Sequence, residues 1–134
     1  MCIRDRINRC KERLETRGNT ATCRVKWDGG ERIVSGKIFD DSAQRIVRIS
    51  RYTFEADPKG IILLLVNKDV PGVVGTVASK IGELGINIGE WRLGRDEERA
   101  EALSFINLDT LPSPEAMEAI AALDPVRKVT VVEL

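Results

Sequence analysis

The sequence contains no histidine. That removes the commonest general base at neutral pH and the commonest nitrogen ligand for a metal. Cysteine is scarce. Cys2, Cys10 and Cys23 make an odd count with no Cys-x-x-Cys spacing, which argues against a disulfide framework or a zinc knuckle and for a reducing, cytoplasmic setting. An excess of one charge is also missing, since 21 acidic residues balance 21 basic ones; no global field draws the chain to nucleic acid or to an anionic membrane. No apolar run approaches the roughly 20 residues of a membrane span, and the start shows no signal-peptide pattern. There is no nucleophile–base pair, no metal-ligand spacing and no glycine-rich phosphate loop on a strand–helix turn, so an autonomous enzyme is rejected.

What is present is organised around residues 60–95. Ile61 to Val66 is an unbroken apolar run, the mark of a strand covered on both faces or paired on both edges. It stops at Asn67-Lys68-Asp69. Pro71 then sits where a first helical turn needs no N–H donor. Val73, Val77, Ile81 and Leu84 follow at helical spacing, and Gly85 is placed as a left-handed cap. The chain re-enters a strand at Ile86, with Ile86 and Ile88 on one face and Asn87, Gly89, Trp91 and Leu93 on the other. The helix N-terminus thus opens at the end of a central strand, where free N–H groups and the helix dipole favour an anion.

On either side the pattern is simpler. Ile7, Cys10 and Leu14 form an apolar helical stripe, with Lys11 and Glu15 an i,i+4 pair and Gly18 as the stop. Ala21 to Asp28 alternates, Asp28-Gly29-Gly30 signals a tight turn, and Glu31 to Phe39 returns as the second arm of a hairpin. A turn at Asp40-Asp41-Ser42 leads to a strand at Arg45–Ile49, and Asp57-Pro58-Lys59-Gly60 reads as a linker. Downstream, Ala102 to Leu108 is a strand. Ser113 caps a second helix that begins with Pro114 and Glu115 and presents Met117, Ile120 and Leu123. Asp124-Pro125 ends that helix, and Val129 to Val132 is the last strand. The fold class is α+β: a ferredoxin-like βαββαβ unit over residues 59–134, preceded over residues 1–58 by a small, mostly antiparallel β segment with one N-terminal helix. Its central strands offer only Phe105 as an aromatic, so the stacking platform of an RNA-binding sheet is absent.

Asn67-Lys-Asp-Val-Pro-Gly-Val-Val-Gly75, followed by Leu84-Gly-Ile-Asn-Ile88, resembles the signature of ACT domains, a family of regulatory amino-acid-binding modules. Ser35-Gly-Lys-Ile-Phe39 and Arg45-Ile-Val-Arg-Ile49 resemble the tail of the intervening, allosteric-substrate-binding domain of long-form D-3-phosphoglycerate dehydrogenases. Together they resemble the C-terminal regulatory fragment of that family. The resemblance implies NAD as cofactor of a parent enzyme and none in this chain. It implies L-serine or another small amino acid as ligand, held where the edge strand and first helix of one ACT domain meet those of another in a homo-oligomer. Asn67 and Asp69 in the loop and Asn87 on the edge strand match the family's ligand positions. Asp69 suits an ammonium, the two amides donate and accept, and N–H groups near Val73 and Val74 suit a carboxylate. Arg45 matches a basic position of an anion site in the intervening domain, while a second basic position there is Asp57.

Each residue also has a plainer reading. Asp69 is a helix cap, Asn67 and Asn87 satisfy backbone groups at strand ends, and Arg45, Arg48 and Arg51 are a solvated face. Gly75, Ala78, Ser79 and Gly82 form a small-residue stripe, either a contact with a second copy or close packing on the chain's own sheet. Trp91 is hydrophobic cover and Cys23 a small core residue. The iron–sulfur L-serine dehydratase beta part carries a similar pair of domains and is the alternative parent. A purely structural dimerisation module is the other alternative.

Overall fold

The computed structural model describes residues 11–27, 29–40 and 42–134. Its Cα packing divides the chain into two compact units, one ending at Glu55 and one running Ala56–Leu134.

The first unit carries a five-stranded antiparallel meander of β1 (Lys11–Arg17), β2 (Thr20–Trp27), β3 (Gly30–Ile38), β4 (Gln44–Ile49) and β5 (Tyr52–Ala56), each beside the next. The expected helix from the Ile7, Cys10, Leu14 stripe is corrected here. Ile7 and Cys10 lie outside the described residues, and Lys11–Arg17 is a strand paired with β2 from Lys11↔Lys26 to Arg17↔Thr20. Gly18 does not stop a helix; with Asn19 it makes a two-residue hairpin loop, and its φ of 61° is the left-handed value that such turns need. Asp28 and Asp41, expected in turns, also lie outside the described residues. Cys23 is half-buried and free rather than a core residue. Strand β5 had no counterpart in the sequence reading.

The second unit is a four-stranded antiparallel sheet in the order β7 (Ile88–Asp96), β8 (Glu101–Leu108), β6 (Ile61–Lys68), β9 (Val126–Glu133), with α1 (Val73–Glu83) and α2 (Pro114–Ala121) as its helices. This is the expected ferredoxin-like arrangement. The apolar run of β6 is paired along both edges, with β8 and with β9. Leu63, Leu65, Ile106 and Leu108 from the central strands form one core with Val73, Val77 and Ile81 of α1 and Ile120 of α2. Helix α1 ends in a Schellman motif, with Gly85 N–H donating to Gly82 and Ile86 N–H to Ile81, and Gly85 at φ 75°. Ser113 caps α2, its Oγ accepting the Ala116 N–H at 3.1 Å.

Three local expectations change. The N-cap of α1 is Gly72, at φ 85°, so Pro71 stands in the preceding turn rather than at the first helical position. Strand β7 carries a bulge between Ile88 and Glu90. The extra residue, Gly89, shifts the alternation by one, so Trp91 packs with Ile88 and Ile86 against the core instead of facing away from them. The small-residue stripe of α1 is not packed on its own sheet: Cβ atoms added at Gly75 and Gly82 would meet nothing within 4 Å.

Candidate functional site

At one end of the sheet, the chain leaves β6 through Asp69, Val70, Pro71 and Gly72 and turns into α1. The Asp69 N–H donates to the Ala100 carbonyl at 2.8 Å, which ties the loop to the β7–β8 turn. Its side chain is not the cap of α1. The carboxylate Oδ2 instead accepts from Arg95 Nε at 2.8 Å, Arg95 being the last residue but one of β7. Asp69 is 18% exposed and Arg95 58%. The hydrogen bond that Arg95 donates to Asp69, and then the charge of Asp69, raise the Arg95 pKa above an already alkaline ordinary value, so the guanidinium is charged wherever the protein is handled near neutrality. Val73 buries its side chain in the core, while Val74 is 48% exposed on the rim of α1. No acidic residue sits in the first turn of α1 and no side chain caps it, which leaves its positive dipole end without a built-in anion.

Asn67 is inside β6, not in the loop, paired with Ala102 and Val126. It is 3% exposed. Its amide Nδ2 donates to the Lys68 carbonyl at 2.8 Å, and its Oδ1 accepts from Ser104 Oγ at 3.2 Å. A buried amide satisfied on both sides fixes the end of the strand; the side chain does not reach the surface beside Asp69.

Asn87 is exposed and precedes β7 by one residue. Its Nδ2 donates to Asp109 Oδ2 at 2.7 Å, and its carbonyl accepts the Asp109 N–H at 3.1 Å. Register places it far from the loop. Asn87 stands where β8 ends, and Asp69 where β8 begins, at Ala100. The eight residues of β8, at about 3.4 Å each, put roughly 25 Å between the two. Within one chain, Asn87 and Asp69 are therefore at opposite ends of the β7 edge.

In the first unit, Arg45 lies on β4 opposite Lys37 and donates to the Gln44 carbonyl at 2.9 Å. It lines an open depression with Phe39, Asp40, Ala43 and Glu55. An anion entering there would meet two carboxylates beside one guanidinium. Among the described residues, no group of cysteine, aspartate or glutamate side chains is arranged to hold a metal ion. No helix among them is long and apolar enough to cross a membrane.

The loop after the first central strand, the helix it opens and the order of the four strands agree with a known family: residues 61–125 match the ACT domain. This segment is an ACT domain. The chain is also similar to D-3-phosphoglycerate dehydrogenases. With that of Archaeoglobus fulgidus it shares 32% identity over 112 residues, which is 82% of this chain and 21% of that protein. With that of Methanocaldococcus jannaschii it shares 28% over 120 residues, or 90% of this chain and 23% of that protein. The Mycobacterium tuberculosis enzyme is 32% identical over 111 residues, covering 82% of this chain and 21% of its own length. The chain thus spans about a fifth of the length of these relatives. Each similarity extends well beyond the ACT domain itself, into the first unit.

The sequence reading missed Arg95 and Asp109. Both are partners of residues it named, and both are brought in by strand register across separations of 26 and 22 residues.

Proposed function

We propose that this chain is a regulatory amino-acid-binding region that senses L-serine for feedback inhibition of a D-3-phosphoglycerate dehydrogenase in serine biosynthesis. In this reading the first unit is the tail of an intervening domain, the second is the sensor, and NAD chemistry belongs to upstream parts of a cytoplasmic parent enzyme. The names of the relatives favour this parent over an iron–sulfur L-serine dehydratase.

The observation that carries the proposal is the division of polar groups between the two ends of an unpaired edge. Strand β7 is the outer strand of its sheet, and an unpaired edge is a template for a second chain. When two copies pair antiparallel along β7 about a two-fold axis, the start of each strand meets the end of the other. Asn87 of a second copy then arrives beside Asp69 of the first, and the roughly 25 Å separation within one chain becomes what the site requires. The open glycines of α1 and the exposed Val74 and Leu93 lie on the element and strand that such pairing would cover.

Each seam would hold one zwitterion. Asp69 takes the ammonium, Asn87 of the second copy donates and accepts, and the N–H groups of Val73 and Val74 receive the carboxylate. Asn67 holds the strand end from within. A ligand that binds only the paired form stabilises it, and that coupling is what a distant catalytic domain would feel. Calorimetric titration of the chain with L-serine tests the reading. Saturable heat that is lost in Asp69→Ala supports it. A folded dimer that gives no heat at millimolar L-serine would leave a structural dimerisation module in its place.

A further inference from the structure

We propose that Arg95 supplies the positive half of the ligand site. The Asp69–Arg95 pair parts around a free α-amino acid and receives its ammonium and carboxylate together. This rests on the amino-acid-binding reading above and adds a residue to it, Arg95 sharing the carboxylate with the N–H groups of Val73 and Val74.

Arg95 bonds Asp69 through Nε alone. Its two terminal nitrogens make no bond among the described residues, and the side chain is more than half exposed. That is the free edge of a planar fork whose geometry matches a carboxylate with two parallel bonds. Of the neighbouring charges at this end of the sheet, Glu101 pairs with Arg127 and Lys68 with Asp124, while Glu97 adds a weaker negative field at Arg95. Asp69 and Arg95 thus stand as a directly bonded couple beside the uncapped start of α1. With the Arg95 side chain more than half exposed, solvent screens the pair and it adds little to stability, so parting it removes little from the fold. The ligand replaces each half with a partner of the same charge.

Such a couple selects for a zwitterion. An amine without a carboxylate must compete with Arg95 for Asp69 and offers Arg95 nothing in return. An acid without an ammonium must draw Arg95 away and leave Asp69 unpaired. L-serine loses neither bond.

The test is calorimetric titration of the 134-residue chain and of Arg95→Ala, Arg95→Gln and Arg95→Lys with L-serine and with ethanolamine. Losing a charge-assisted pair predicts at least about tenfold weaker L-serine binding in Arg95→Ala and Arg95→Gln. Arg95→Lys keeps the charge without the fork and falls between. The preference for L-serine over ethanolamine collapses in Arg95→Gln, a change that a purely structural role for Arg95 would not produce. L-serine affinity unchanged or tighter in Arg95→Ala overturns the inference, because Arg95 would then be a bystander or a competitor, and leaves the amino-acid-binding reading standing. Absence of any L-serine binding by the unsubstituted chain overturns both.

Discussion

The two sheets of this chain are both antiparallel, yet among the described residues only the second carries helices. In the five-stranded meander, Ile33, Val34, Ile46, Val47 and Ile49 are all half-buried, and Ile38 is exposed. In the four-stranded sheet, eight apolar side chains from β6, β8, α1 and α2 close into one buried core. The contrast separates two jobs that hydrophobic patterning performs. Alternation with well-placed turns is enough to pair strands into hairpins. A dry core needs a second layer, and α1 and α2 supply it. A binding loop needs a fixed platform, and the polar groups of the candidate site sit on the unit with the core.

Two substitutions measure the contrast by urea unfolding. Ile106→Ala, at a site with no exposure, should destabilise the chain by about 2–5 kcal/mol, as buried large-to-small changes do. Val34→Ala in the meander should cost only about 1 kcal/mol, since a half-buried side chain has less surface to lose. Equal costs would break the comparison. Between these lies Gly72→Ala at the mouth of α1. Open space surrounds the position, so the penalty comes from its left-handed φ of 85° alone and should be about 1–2 kcal/mol. A neutral result would mean that the loop relaxes, and that Asp69 is not held where Arg95 meets it.

Much of the second unit was legible because its signals are local. The Ile61–Val66 run, the Val73, Val77, Ile81 stripe, the Gly85 cap and the Ser113-Pro114 start each act within a turn or two of chain. The misread places are those where distant pairing decides. Over Lys11–Arg17 pairing with β2 prevails over the helical stripe, and Gly18-Asn19 is a hairpin signal rather than a helix stop. Gly89 could have been read as a bulge, since a glycine within a strand often marks one, and that reading would have turned Trp91 to its observed face. Asn67 looks like a loop residue because a polar residue ends an apolar run; pairing with Ala102 makes it a strand residue, and Ser104, diagonally across on β8, satisfies its amide oxygen. The link of Asp69 to Arg95 has no local trace at all. It follows from the register of β7 on β8 and the tie from Asp69 to Ala100.

In the proposed reading each ligand site is shared, with Asp69 from one copy and Asn87 from another. Mixing two defective chains tests this sharing. Asp69→Ala and Asn87→Ala should each fail to bind L-serine alone. When the two are mixed and allowed to exchange partners, each mixed pair regains one seam with both residues intact, and part of the binding capacity should return. If the mixture stays silent while the unsubstituted chain binds, or if Asn87→Ala alone binds as well as the unsubstituted chain, the shared site is contradicted.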